Sequence, residues 1–251
     1  MRKVLLYFAL KYKGDYKKIL NAITEKEQVD ETALLEVESK IKCKYITLLD
    51  LDYPVALRQT GTPPFVLFYY GDISLLNKAN KIAVIGTRNN SLYGQEMTNK
   101  IVKEFKFYNF VCVSGLASGI DGIAHQVSLD NDIKTIAVLG SGIDYCYPSI
   151  NIDIYNNIKE KGLVISEYPN DTVPQPYYFL IRNRIIAALS DYICVIEASY
   201  KSGTMNTVAY GLEYGKDICC VPSLANTSSG CNKLIKEGAR LVESLKDIIE
   251  Q

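Results

Sequence analysis

The stretch Ile82-Ala83-Val84-Ile85-Gly86-Thr87-Arg88-Asn89-Asn90-Ser91 decides the fold. Four consecutive apolar residues run into a glycine, small hydroxyl residues and one arginine. That order predicts a buried strand ending in a tight loop, with Ser91 placed to cap the helix that follows. A strand that is apolar without alternation is buried on both faces, as in a parallel sheet covered by helices. The pattern repeats downstream: strands are predicted at 82–85, 110–113, 135–139, 163–165, 192–196 and 218–221, with a shorter one at 240–242. Helices are predicted to start near Ser91, Gly119, Ser149, Tyr178, Gly203 and Asn232. Residues 81–251 therefore read as an α/β, Rossmann-like unit, a mostly parallel sheet with helices on both faces.

Upstream the pattern changes. Residues 1–45 read as a small N-terminal helical module, with Asp15 and Asp30 as caps of its second and third helices. The first ten residues are apolar enough to suggest a signal peptide, but no small-residue cleavage site follows, so they read as an amphipathic helix. Residues 46–80 form a connector and the start of the extended sheet, with a strand at 45–49 and an apolar run at 65–70.

The totals exclude several classes. The apolar runs are of strand length, far short of the ~20 residues that span a bilayer. Seven cysteines show no CxxC or Cys/His spacing, and several lie within apolar strands. A reducing cytoplasm and no metal site are expected. Twenty-eight basic residues balance 28 acidic ones. A polyanion must then be held by a local patch, not by bulk charge.

In a parallel α/β sheet, ligands bind outside the carboxyl ends of the strands. There the first strand offers Gly86, Thr87, Arg88 and Ser91, which join close backbone approach, hydroxyl donors and a guanidinium fork suited to phosphate. The second offers Ser114, Gly115, Ser118, Gly119 and Asp121, where Asp121 is better read as a carboxylate holding the loop than as a catalyst. The third offers Gly140, Ser141 and Gly142, but Tyr145 stands where a dinucleotide fingerprint has its third glycine. Ser202, Gly203 and Thr204 open a later helix after the fifth strand. Arg182, Asn183 and Arg184 lie on a helix. Arginines two apart point about 200° from each other, so one faces the cleft and the other solvent or an ion pair. The single histidine, His125, has no metal or triad partners in sequence. Four such loops on one sheet edge form a polar groove suited to a chain of phosphates.

These blocks resemble, in order, the DNA-processing protein A family (DprA, also called Smf). The resemblance is carried by Gly86-Thr87-Arg88 with Ser91, by the loop from Ser114 to Asp121, and by Gly140-Ser141-Gly142 with Tyr147-Pro148. Ser166-Glu167-Tyr168-Pro169, Arg182-Asn183-Arg184, and Glu197 followed by Ser202-Gly203 complete it. It implies an extended Rossmann-like fold, binding of single-stranded DNA with little sequence preference, loading of the RecA recombinase in natural transformation, and a homodimer, with no catalysis and no cofactor. The phosphate-contacting arginine of the family falls on Arg88. Leu180 departs from the family pattern, as do Thr204-Met205-Asn206-Thr207, Ser223, and Ser149, which stands where many members have a basic residue. The winged helix found at the C-terminus of some members is expected to be absent. A second possibility is a nucleotide-binding enzyme similar to the phosphoribohydrolases of the lysine-decarboxylase-like type, echoed by Ser202-Gly203-Thr204 and Glu213. A third is a regulatory module for a small nucleotide.

Overall fold

The computed structural model describes residues 1–225 and 229–250. Within them, nine strands form one sheet: β1 (Lys44–Thr47), β2 (Val66–Gly71), β3 (Lys81–Gly86), β4 (Val111–Ser114), β5 (Thr135–Val138), β6 (Leu163–Ser166), β7 (Tyr192–Glu197), β8 (Asp217–Cys220) and β9 (Arg240–Leu241). Their spatial order is β1-β2-β6-β5-β4-β3-β7-β8-β9. The seven strands from β3 onward are parallel, as their continuous apolar runs predict. After the short helix α4 (Val55–Arg58), the apolar run at 65–70 becomes β2, which pairs antiparallel with both β1 and β6 and extends the sheet by two strands.

Helices cover both faces. Ala83 and Ile85 of β3 point into a core with α8 (Pro176–Leu189) and α9 (Thr204–Glu213). Ile82 and Val84 point the other way, against α5 (Leu92–Tyr108) and α6 (Ile120–Asp130). Near Ser149 the chain makes a 3-10 turn first, and α7 begins only at Ile152 (Ile152–Lys161). Asp15 and Asp30 cap α2 (Tyr16–Thr24) and α3 (Glu31–Glu36), accepting from the Lys18 and Ala33 amides at 3.1 Å each. The helices α1 (Arg2–Lys11) and α2 share one apolar cluster with β2, β5, β6 and α7. Gly14, at φ +74°, turns the chain between them against the Glu167 carbonyl, where a Cβ would lie 2.3 Å from the oxygen. Among the described residues no helix is long and apolar enough to cross a membrane.

His125 is a core residue of α6. Its Nδ1 lies 2.7 Å from Thr135 Oγ1, whose hydroxyl donates to the Cys112 carbonyl, so Nδ1 carries the proton and Nε2 is left without a partner. Burial, with the Arg182 charge adding to it, pushes its pKa down to about 3. A depressed folded pKa means that the unfolded chain takes up the proton first. The contribution is complete above the ordinary value near 6.5 and is lost as pH falls toward 3, at about 1.4 kcal/mol per pH unit. Denaturant midpoints across pH 7 to 4 should therefore fall more steeply for the wild type than for His125→Asn. Parallel curves would show that the histidine titrates normally.

Candidate nucleic-acid interface

The strand order reverses between β3 and β7, and the carboxyl end of β3 and the segment after β7 that opens α9 border a cavity of about 410 Å³. It lies where a doubly wound sheet places its ligand. Gly86, Thr87 and Arg88 line one side, Ser202, Gly203 and Thr204 at the start of α9 another, and Phe179, Arg182 and Asn183 of α8 a third. Three of the four predicted loops thus converge with one face of the arginine helix, since Asp121 from the second loop also reaches the wall.

The Gly86–Ser91 loop is pinned from several directions. The Thr87 amide donates to the Glu197 carbonyl at 2.7 Å, and the Thr87 carbonyl accepts from the Ile120 amide at 3.2 Å. Gly119, at φ +75°, allows that approach; a Cβ there would sit 2.3 Å from the Thr87 oxygen. Ser91 caps α5, accepting from the Gly94 amide at 3.0 Å. Its own amide and hydroxyl donate to Glu197 Oε2 at 2.9 and 3.1 Å. A carboxylate of the protein therefore already occupies the anion position at the start of α5. Ser91 shapes the loop, where the sequence suggested a phosphate donor.

Asp121 behaves in the same way. Buried, it accepts from the Gly115 amide at 3.1 Å, as expected for a carboxylate that holds the loop. Burial raises its pKa, opposed by the nearby Arg182 charge and by its hydrogen bonds. Ser114 is buried and donates to the Val84 carbonyl at 2.6 Å. Gly115 is flat against the Arg182 guanidinium. Ser118 and Gly119 are half-buried. The third loop turns inward: Ser141 donates to the Tyr145 carbonyl at 2.6 Å, and the Gly142 amide donates to the Thr172 carbonyl at 2.8 Å. Gly140 serves as the floor on which Phe179 packs. Ser114, Ser141 and Gly142 thus use their polar groups within the fold and contribute none to the cavity, contrary to the sequence expectation.

The two arginines of α8 separate as their 200° spacing predicts. Arg184 lies outside the cavity and pairs with Glu167 through both guanidinium nitrogens, at 2.8 and 2.7 Å, and reaches the Thr62 carbonyl at 2.9 Å. Burial lowers its pKa, but Glu167 outweighs burial and holds it above its ordinary value. Arg184 is therefore a buried strut and not a groove ligand, a correction to its sequence assignment. Arg182 is 3% exposed and donates to the carbonyls of Gly115 and Val138. Burial lowers its pKa to about 10, with Asp121 opposing the shift. Its Nε is buried without a partner, as is Ser202 Oγ, although both residues contribute to the cavity lining. Asn183 reaches Asn206 Oδ1 at 3.3 Å, and Thr204 donates to the Gly86 carbonyl at 3.1 Å.

Arg88 contrasts with these. It is exposed, makes no ion pair among the described residues, and its guanidinium lies 5.5 Å from the centre of the Phe179 ring. Sequence reasoning missed Phe179, although it stands three residues before Arg182 and so on the same helix face. It also left the roles of Glu167 and Glu197 unassigned. No cluster of metal-ligating side chains occurs among the described residues.

Comparison with known proteins gives the family. The family model of DNA recombination-mediator protein A matches residues 44–251. The DNA processing protein DprA of Bacillus subtilis is 39% identical over 208 residues, covering 82% of this chain and 70% of the relative. The crystal structure of DNA processing protein A from Streptococcus pneumoniae superposes with a TM-score of 0.83 at 31% identity, covering 100% of this chain and 98% of that one. DNA processing protein A from Helicobacter pylori, described for its single-stranded DNA binding mode, superposes at 0.75 with 33% identity, covering 83% and 95%. With the family model spanning β1 through the last described strand and a relative matched over most of both chains, this chain belongs to the DNA recombination-mediator protein A family.

Proposed function

We propose that the chain binds single-stranded DNA, with little sequence preference, at the cavity between β3 and β7, and loads the RecA recombinase onto incoming DNA during natural transformation. It acts as a cytoplasmic homodimer and carries out no catalytic step. One observation carries this: an exposed Arg88, without an ion pair among the described residues, stands over a cavity whose other walls are formed by α8 and the start of α9. The start of α9 faces the same space, and the positive end of its helix dipole favours an anion. The single-stranded DNA binding described for the Helicobacter pylori relative supports the choice of polyanion.

Few cations face the groove, so few phosphates are neutralised. With about three, the logarithm of oligo-dT affinity should fall against the logarithm of salt concentration with a slope near −2, at roughly 0.7 per phosphate. A flat response would exclude a phosphate groove. Recombinase loading is tested by strand exchange on DNA coated with single-strand binding protein, where adding the chain should shorten the lag. An unchanged lag would remove that role.

The phosphoribohydrolase alternative fits the geometry less well. Glu213, its carboxylate, is the exposed last residue of α9, while the cavity reaches that helix only at Thr204 and Thr207. Six helical residues beyond Thr207 put about 9 Å between them. Free adenine released from AMP would reinstate it. Competition of mononucleotides with oligo-dT tests the regulatory-module alternative.

A further inference from the structure

The cavity, at about 410 Å³, is at the small end of the roughly 300–1,000 Å³ range of ligand pockets. It has room for a nucleotide unit and not for a chain, so a bound strand must continue over its rim. The aromatic side chains that follow the carboxyl ends of the strands differ in how free they are. Phe179 is packed against Gly140, where a Cβ would lie 2.5 Å from its ring, and it carries Arg88. Tyr93 donates its hydroxyl to the Pro222 carbonyl at 3.0 Å. Tyr200 has the Lys233 ammonium 3.7 Å from its ring centre. Tyr147 is 45% exposed, its hydroxyl has no partner among the described residues, and its ring centre lies 5.6 Å from that of Phe179 at 40°. Arg88, Phe179 and Tyr147 thus form a continuous line leading from the cavity onto the loop after β5.

We infer that Tyr147 is a base-stacking residue that carries the strand out of the cavity, with Phe179 positioning Arg88 beside it. This rests on the single-strand reading above. The chemistry of the loop points to a base and not to a phosphate. Residues 140–151 contain no lysine or arginine, and Asp144 within them is acidic. An aromatic face holds any base without regard to sequence, which suits a site of low specificity.

The two kinds of contact separate in a salt titration. Tyr147→Ala should weaken oligo-dT binding by about 10-fold, within the range of one base–aromatic stack, and leave the salt slope unchanged. Tyr147→Phe keeps the ring and should stay within about two-fold of wild type. The chain has no tryptophan, so Tyr147→Trp places a sole reporter at the proposed stack. Its fluorescence should be quenched by oligo-dT and not by an abasic oligomer of equal length. Wild-type affinity in Tyr147→Ala together with unquenched Trp fluorescence, while Arg88→Ala still weakens binding, would overturn this inference alone. Absence of oligo-dT binding by the wild type would overturn the single-strand reading beneath it.

Discussion

Arg88→Ala should lower the affinity for oligo-dT by about 10- to 150-fold, the equivalent of one charge-assisted hydrogen-bonding group at roughly 1.5–3 kcal/mol. The expectation rests on how little else can substitute for it. Arg182 and Arg184 are buried and committed to Gly115, Val138 and Glu167, while Ser91 and Gly115 have given their donors to Glu197 and Asp121. Ser149 follows Pro148 where a cation would have added a contact. Losing one neutralised phosphate should also flatten the salt slope by about 0.7. Arg88→Lys keeps the charge but loses the planar fork and its fit over Phe179, so its affinity should fall between the two. Unchanged binding in Arg88→Ala would move the DNA site away from this cavity.

Glu167→Ala should instead unfold the protein more readily. It leaves the Arg184 guanidinium buried without its carboxylate, in a pair whose side chains are 2% and 4% exposed. Removing one partner of a buried pair costs about 3–5 kcal/mol, mostly the penalty of the stranded charge. At about 2–4 °C per kcal/mol for a chain of this size, Tm should drop by roughly 6–20 °C. Replacing both residues, Glu167→Leu with Arg184→Met, should recover part of that loss, since no charge is then stranded. Oligo-dT affinity of the folded Glu167→Ala protein should stay within about two-fold of wild type. A large loss of affinity at unchanged Tm would return Arg184 to the groove.

These two arginines show where sequence information ends. Their spacing on a helix shows that they face opposite ways, but not which faces the ligand. That depends on Glu167, which follows β6, 17 residues before Arg184 and outside its helix. Ser91 is similar: its sequence role as cap is confirmed, while its hydroxyl is taken by Glu197, 106 residues away. Phe179 could have been found by helical spacing from Arg182; the closing of the Ser141–Gly142 loop onto Thr172 could not.

The sequence by itself determined the parallel core, the helices on both faces, the caps Asp15, Asp30 and Ser91, and the sheet edge that carries the polar loops. Each follows from local periodicity or from a side chain bonding within its own turn, and both are written in neighbouring residues. Tertiary structure alone decided that β2 joins the sheet antiparallel, that Glu197 fills the anion position at Ser91, and that Arg88 stands over an open cavity without an ion pair among the described residues. Desolvation and pairing are set by partners far apart in the chain, and the same loop composition serves equally well whether its donors face solvent or a carboxylate of the protein.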